Sequence, residues 1–70
     1  MIRYRPGVNV LSMLSEAGYN TGVIRRDRVF GEKAVQKMRE GKLPSWNELD
    51  KICTLTGCHP SDILEYKRDQ

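Results

Sequence analysis

The stretch that decides the fold is Phe30-Gly31-Glu32-Lys33-Ala34-Val35-Gln36-Lys37-Met38-Arg39-Glu40-Gly41-Lys42. It predicts a short helix between two glycines. Gly31 stands at the N-cap position and Gly41 where a C-terminal stop belongs. Val35 and Met38 are three apart and share a face, which predicts the buried side. Glu32, Lys33, Gln36 and Lys37 lie off that face, toward solvent or a ligand. Glu32 at the start, and Arg39 and Lys42 at the end, suit the helix dipole. Most such segments are solvated amphipathic helices, so the flanking chain must decide whether this one does more.

Immediately upstream, Asn20 and Thr21 are N-cap residue types for a second short helix running to about Asp27 or Arg28. Ile24 is its main inward residue, with Val23, Val29 and Phe30 as candidates to join it. Arg25, Arg26 and Arg28 must point elsewhere, because three arginines cannot all be buried unpaired. The link through Val29, Phe30 and Gly31 is short, so the two helices form a corner of helix-turn-helix type. Further back, Val10, Leu11 and Leu14 stand at helical spacing and predict a scaffold helix from Val8 to Ala17, stopped by Gly18. Met1-Ile2-Arg3-Tyr4 alternates like a strand, and Pro6-Gly7 breaks it.

Downstream, Pro44 and Ser45 open a fourth helix. Ser45 and Glu48 make a capping box, and Leu49, Ile52, Cys53 and Leu55 form the buried stripe. Trp46, in the first turn, reads as a packing lid. Gly57 stops this helix, and His59-Pro60-Ser61-Asp62 starts a fifth, with His59 as a cap or surface residue. Ile63 and Leu64 point inward. Leu64-Glu65-Tyr66-Lys67 alternates again, and could pair with Met1–Tyr4 as an antiparallel ribbon. Arg68-Asp69-Gln70 is expected to fray. The expected fold is all-α: one compact five-helix domain over residues 1–70, its helix-turn-helix at about 21–40, with a short two-stranded ribbon joining the termini.

The formal charge of +3 and isoelectric point near 9.1 decide little alone. Their distribution says more. Residues 1–20 carry Arg3, Arg5 and Glu16, net +1. Residues 21–42 carry Arg25, Arg26, Arg28, Lys33, Lys37, Arg39 and Lys42 against Asp27, Glu32 and Glu40, net +4. Residues 43–70 carry Lys51, Lys67 and Arg68 against Glu48, Asp50, Asp62, Glu65 and Asp69, net −2. A polyanion would be drawn to the middle of the chain.

Other classes find little support. Asn9, Ser12 and Glu16 interrupt any signal-peptide core, and no run approaches the roughly 18 apolar residues of a membrane span. A cytoplasmic protein without membrane contact is expected, with Cys53 and Cys58 reduced. Their C-x4-C spacing beside His59 is a poor zinc pattern, so structural thiols are expected and no metal. No nucleophile–base–orienter set is present, which argues against an enzyme, a cofactor or a small-molecule substrate.

The order of these elements resembles the lambda-repressor-like (Cro-type, XRE family) helix-turn-helix regulators of bacteria and phages. It is closest to a compact subgroup that is little more than the DNA-binding domain. The resemblance rests on Thr21 and Ile24, on Ala34 through Lys42, on Ser45, on Leu49-Asp50-Lys51-Ile52-Cys53, and on Gly57-Cys58-His59-Pro60-Ser61-Asp62-Ile63-Leu64-Glu65-Tyr66. Two positions depart from it. The family places a small residue after the apolar residue of the second helix and a glycine at the turn; here these fall on Arg25 and Val29. A β-branched residue cannot supply the positive φ cheaply, so a longer or differently shaped turn is expected.

In such domains the third helix lies in the major groove of double-stranded DNA. The resemblance implies base contacts from Glu32, Lys33, Gln36 and Lys37, with Ala34 touching a thymine methyl or only allowing close approach. It implies phosphate contacts from Asn20, Thr21, Arg25, Arg39, Lys42, Ser45 and Asn47, while Arg26 and Arg28 add charge at the rim. The expected function is sequence-specific DNA binding by a transcriptional repressor or regulator. The alternative is a protein-interaction module on the same scaffold: an antitoxin, an anti-repressor or an adaptor. An RNA-binding helix is weaker, lacking interleaved aromatics. Oligomeric state is open. The resemblance implies two-fold homodimers, and without a long extra helix these would form on DNA through the fourth or fifth helix.

Overall fold

The computed structural model describes residues 1–68. Five helices start and stop where local side-chain chemistry allows. The Asn9 carboxamide accepts from Ser12 N–H at 3.2 Å, so α1 runs Val10–Glu16 and begins two residues later than its apolar spacing suggested. Asn20 caps α2 (Thr21–Arg26) by accepting from Val23 N–H at 2.9 Å. Gly31 and Gly41 bound α3 (Glu32–Glu40). At α4 (Trp46–Thr56), Glu48 N–H donates to Ser45 Oγ at 3.3 Å, and Ser45 N–H donates to Glu48 Oε1 at 2.8 Å. The last helix, α5 (Pro60–Ile63), opens with its proline, and His59 N–H donates to the Asp62 carboxylate at 2.9 Å.

Each helix contributes to one apolar core. Val10 and Leu14 come from α1, Ile24 from α2, Ala34 and Met38 from α3, Leu49 and Ile52 from α4, and Ile63 from α5. Phe30, in the link before α3, completes it. The expected anchor of α3 changes by one residue. Ala34 and Met38 are buried at i, i+4, while Val35 is half-buried on the flank. In α4 the expected stripe narrows similarly, with Cys53 and Leu55 only half-buried.

The ribbon forms. β1 (Ile2–Tyr4) pairs antiparallel with β2 (Leu64–Tyr66), in the register Ile2↔Tyr66, Arg3↔Glu65 and Tyr4↔Leu64. Two strands alone are marginal in water, so other contacts must hold them. Arg3 Nε donates to Glu65 at 2.6 Å, Arg5 pairs with the same carboxylate at 3.5 Å, and Tyr4 OH donates to Lys42 O at 2.8 Å. Arg68 is exposed, and Asp69 and Gln70 of the expected frayed end lie outside the described residues.

The turn between α2 and α3 resolves the departure at Val29. The left-handed residue is Arg28, with φ 52°, one position earlier than the family's glycine. Val29 N–H then reaches back to Ile24 O at 3.0 Å, and Val29 stays half-buried over the core. This is the six-residue helix stop that normally uses glycine. The chain makes it with glycine at α1, where Tyr19 N–H reaches Leu14 O beyond Gly18, and at α3, where Lys42 N–H reaches Lys37 O beyond Gly41. Lys51 of α4 clamps the turn. Its Nζ donates to Val29 O at 2.8 Å and lies 5.3 Å from the Phe30 ring centre.

Candidate nucleic-acid interface

Burying Ala34 and Met38 turns the opposite side of α3 outward, centred on Gln36. Glu32, Lys33, Gln36, Arg39 and Glu40 are all exposed there. Two residues expected to face bases stand elsewhere. Ala34 is 7% exposed and packs in the core, because it shares its face with Met38. Lys37 is half-buried on the α4 flank, its Nζ 2.7 Å from Glu48 Oε1. Glu48 thus serves both the capping box and this ion pair. The Lys37 hydrogen bond first, then the Ser45 N–H, hold its carboxyl below the ordinary glutamate value.

Between α2 and α3 lies an open groove of about 610 Å³. Thr21, Arg25 and Arg28 line one wall, Glu32, Val35, Gln36 and Arg39 the other, with Phe30 at the floor. The groove collects three arginines, Arg25, Arg28 and Arg39, against the single carboxylate of Glu32, and none of the three forms an ion pair. Arg26 is paired with Asp27 at 3.2 Å, Lys42 with Glu40 at 3.2 Å and Lys37 with Glu48, while Arg3 and Arg5 serve the ribbon. Among the described residues, Arg25, Arg28, Lys33 and Arg39 make no ion pair, and all four are exposed. Sequence reasoning assigns Arg28 only a rim role. Its place in the groove follows from the left-handed backbone, which nothing local signals.

The other expected phosphate contacts are divided. Thr21 lines the groove beside Arg25. The Asn20 and Ser45 oxygens are engaged as helix caps, and Asn47 is exposed in the first turn of α4. Lys42 is held by Glu40, whose carboxyl is pushed below its usual range first by the Gln36 hydrogen bond, then by Lys42.

Trp46 is not the expected lid: it is 81% exposed. The capping box sets the direction of the α4 N-terminus, and the core takes Leu49 and Ile52 from other sides of the helix. His59 is exposed at the start of α5. Cys53 and Cys58 are free and half-buried, and burial above all pushes the Cys53 thiol up, so it stays protonated. Among the described residues no group of three His, Cys, Asp or Glu could hold a metal, and no helix is long and apolar enough to cross a membrane.

A family model described as a Cro/C1-type helix-turn-helix DNA-binding domain matches residues 9–69. No curated protein and no solved structure matches the chain. The matched segment runs from the Asn9 cap of α1 past the end of β2, and so takes in all five helices and the cationic groove. On a match of that extent, the chain belongs to the Cro/C1-type helix-turn-helix DNA-binding domains.

Proposed function

We propose that α3 enters the major groove and that Glu32, Lys33 and Gln36 meet base edges there. Lys33 can donate to guanine O6 and N7, Gln36 can pair with adenine, and Glu32 can accept from cytosine N4. Arg25, Arg28, Arg39 and Thr21 then meet phosphates along the α2–α3 groove, with Asn47 and Ser45 contributing from α4. Asn20 and Lys42 are secondary, since a cap and an ion pair already occupy them. Ala34 drops out of the base-facing set, and Lys37 would first have to leave Glu48. The observation that carries this reading is the set of three unpaired arginines, Arg25, Arg28 and Arg39, lining a groove beside the outward α3 face that bears Lys33. In this reading residues 1–70 act as one DNA-binding unit, two copies pair on two-fold half-sites about 34–36 Å apart, and the chain works as a repressor. Occlusion of the covered duplex suffices for repression.

The test is a binding titration on a duplex selected from a random pool. Affinity should fall steeply between 50 and 200 mM salt, by about a hundredfold or more for several neutralised phosphates. Lys33→Ala and Gln36→Ala should lose preference for the selected duplex more than affinity for random DNA. Full discrimination in both variants would refute the assignment. A second reading, a protein-interaction module, is favoured by the exposure of Trp46. Absence of any gel shift with random duplex at low salt would support it.

A further inference from the structure

The outer face of α3 joins three side chains that the sequence leaves unconnected. Gln36 Nε2 donates to Glu40 Oε2 at 2.9 Å, one helical turn further on. The other oxygen of that carboxylate lies 3.2 Å from Lys42 Nζ, just past the Gly41 stop. All three residues are exposed. Only the NH2 side of a carboxamide can donate to a carboxylate, whereas its oxygen is repelled. Glu40 therefore fixes which way round the Gln36 amide stands, with NH2 toward the C-terminus of α3 and oxygen away from it. One N–H and the oxygen remain free, side by side.

We propose that Glu40 is a positioning residue for base recognition. Braced by Lys42, it holds the Gln36 amide in the one orientation that selects adenine and sets the polarity of that base pair. The proposal rests on the major-groove reading above. Adenine offers an acceptor at N7 and a donor at N6, matching one N–H and one oxygen. Guanine offers two acceptors, N7 and O6, and would set O6 against the Gln36 oxygen. Rotating the amide to relieve that clash would turn its oxygen toward the Glu40 carboxylate. Lys42 contributes separately, by offsetting a carboxylate that would otherwise face the phosphates unneutralised.

Replacing Glu40 should therefore have two effects of opposite sign. The unmodified chain, Gln36→Ala and Glu40→Ala are each used to select duplexes from one randomised pool, and each is titrated on random duplex. The position read by Gln36 is the one whose preference disappears in Gln36→Ala. There, Glu40→Ala should reduce the preference for adenine by about three- to tenfold. On random duplex the same variant should bind more tightly, with a salt dependence steeper by about one counterion, because Lys42 is released. A carboxylate that served only as surface charge would change the second quantity and not the first. An unchanged adenine preference in Glu40→Ala, with its helix content intact, overturns the proposal. If Gln36→Ala selects the same sequences as the unmodified chain, or if that chain selects none, the major-groove reading itself fails and the proposal falls with it.

Discussion

Among single residues, Arg28 and Ala34 carry the sharpest consequences. Arg28 holds a left-handed backbone that costs an L-residue with a side chain roughly 1–2 kcal/mol. Arg28→Gly should relieve part of this. We expect stabilisation of about 0.5–1 kcal/mol, seen as a melting temperature a few degrees higher. The same substitution removes a groove cation, so binding to random duplex should weaken and its salt slope fall by about one. A more stable protein that binds DNA less well is thus expected from one change. A residue so placed trades backbone comfort for the position of its charge. Ala34 makes the opposite case. Its small side chain fits between α3 and the core, so Ala34→Leu should overpack the site and destabilise by about 1–3 kcal/mol in a denaturant titration. Were Ala34 on the reading face, the melt would be unaffected and only DNA binding would change.

Between elements, α4 holds α3 in place through Glu48 and Lys51. Glu48 completes the capping box and neutralises Lys37, which ties that lysine to the α4 flank of α3. Its carboxyl titrates lower in the folded chain than in the unfolded one. The stability it adds is therefore full above the ordinary glutamate value of about 4.3, and is lost as pH falls through the lower folded-state value. Glu48→Gln should unfold at lower denaturant than the unmodified chain near neutral pH, and the difference should close in acid. A gap that persisted below that window would show that the ion pair and cap contribute nothing through ionisation. The helix limits were largely legible beforehand, because caps, glycine stops and the Ser45–Glu48 box act within one turn. The Lys51 clamp on Val29 and Phe30 was not, since Lys51 is 22 residues from Val29 and only the folded core brings them together.

For the molecule as a whole, the ribbon organises charge as well as the ends of the chain. It binds Arg3 and Arg5 to Glu65, while Arg25, Arg28 and Arg39 line the α2–α3 groove without an ion pair. Tyr4 connects the ribbon to the segment after α3 through its hydroxyl on Lys42 O. Tyr4→Phe should therefore lower stability by about 0.5–1.5 kcal/mol, as a thermal melt would show, with DNA binding retained. Taken over its full length, the linear chain was enough to set the five helices, most of their start and stop residues, the pairing of the two ends and the basic character of the middle third. Those features follow from periodicity, capping chemistry and charge along a short span of chain. Folding in three dimensions was needed to settle that Ala34 rather than Val35 is buried with Met38, that Arg28 takes the left-handed turn, that Lys37 is committed to Glu48, and that Trp46 stands in solvent. Each depends on how one helix is rotated against another, and that rotation is fixed by core side chains drawn from every helix at once.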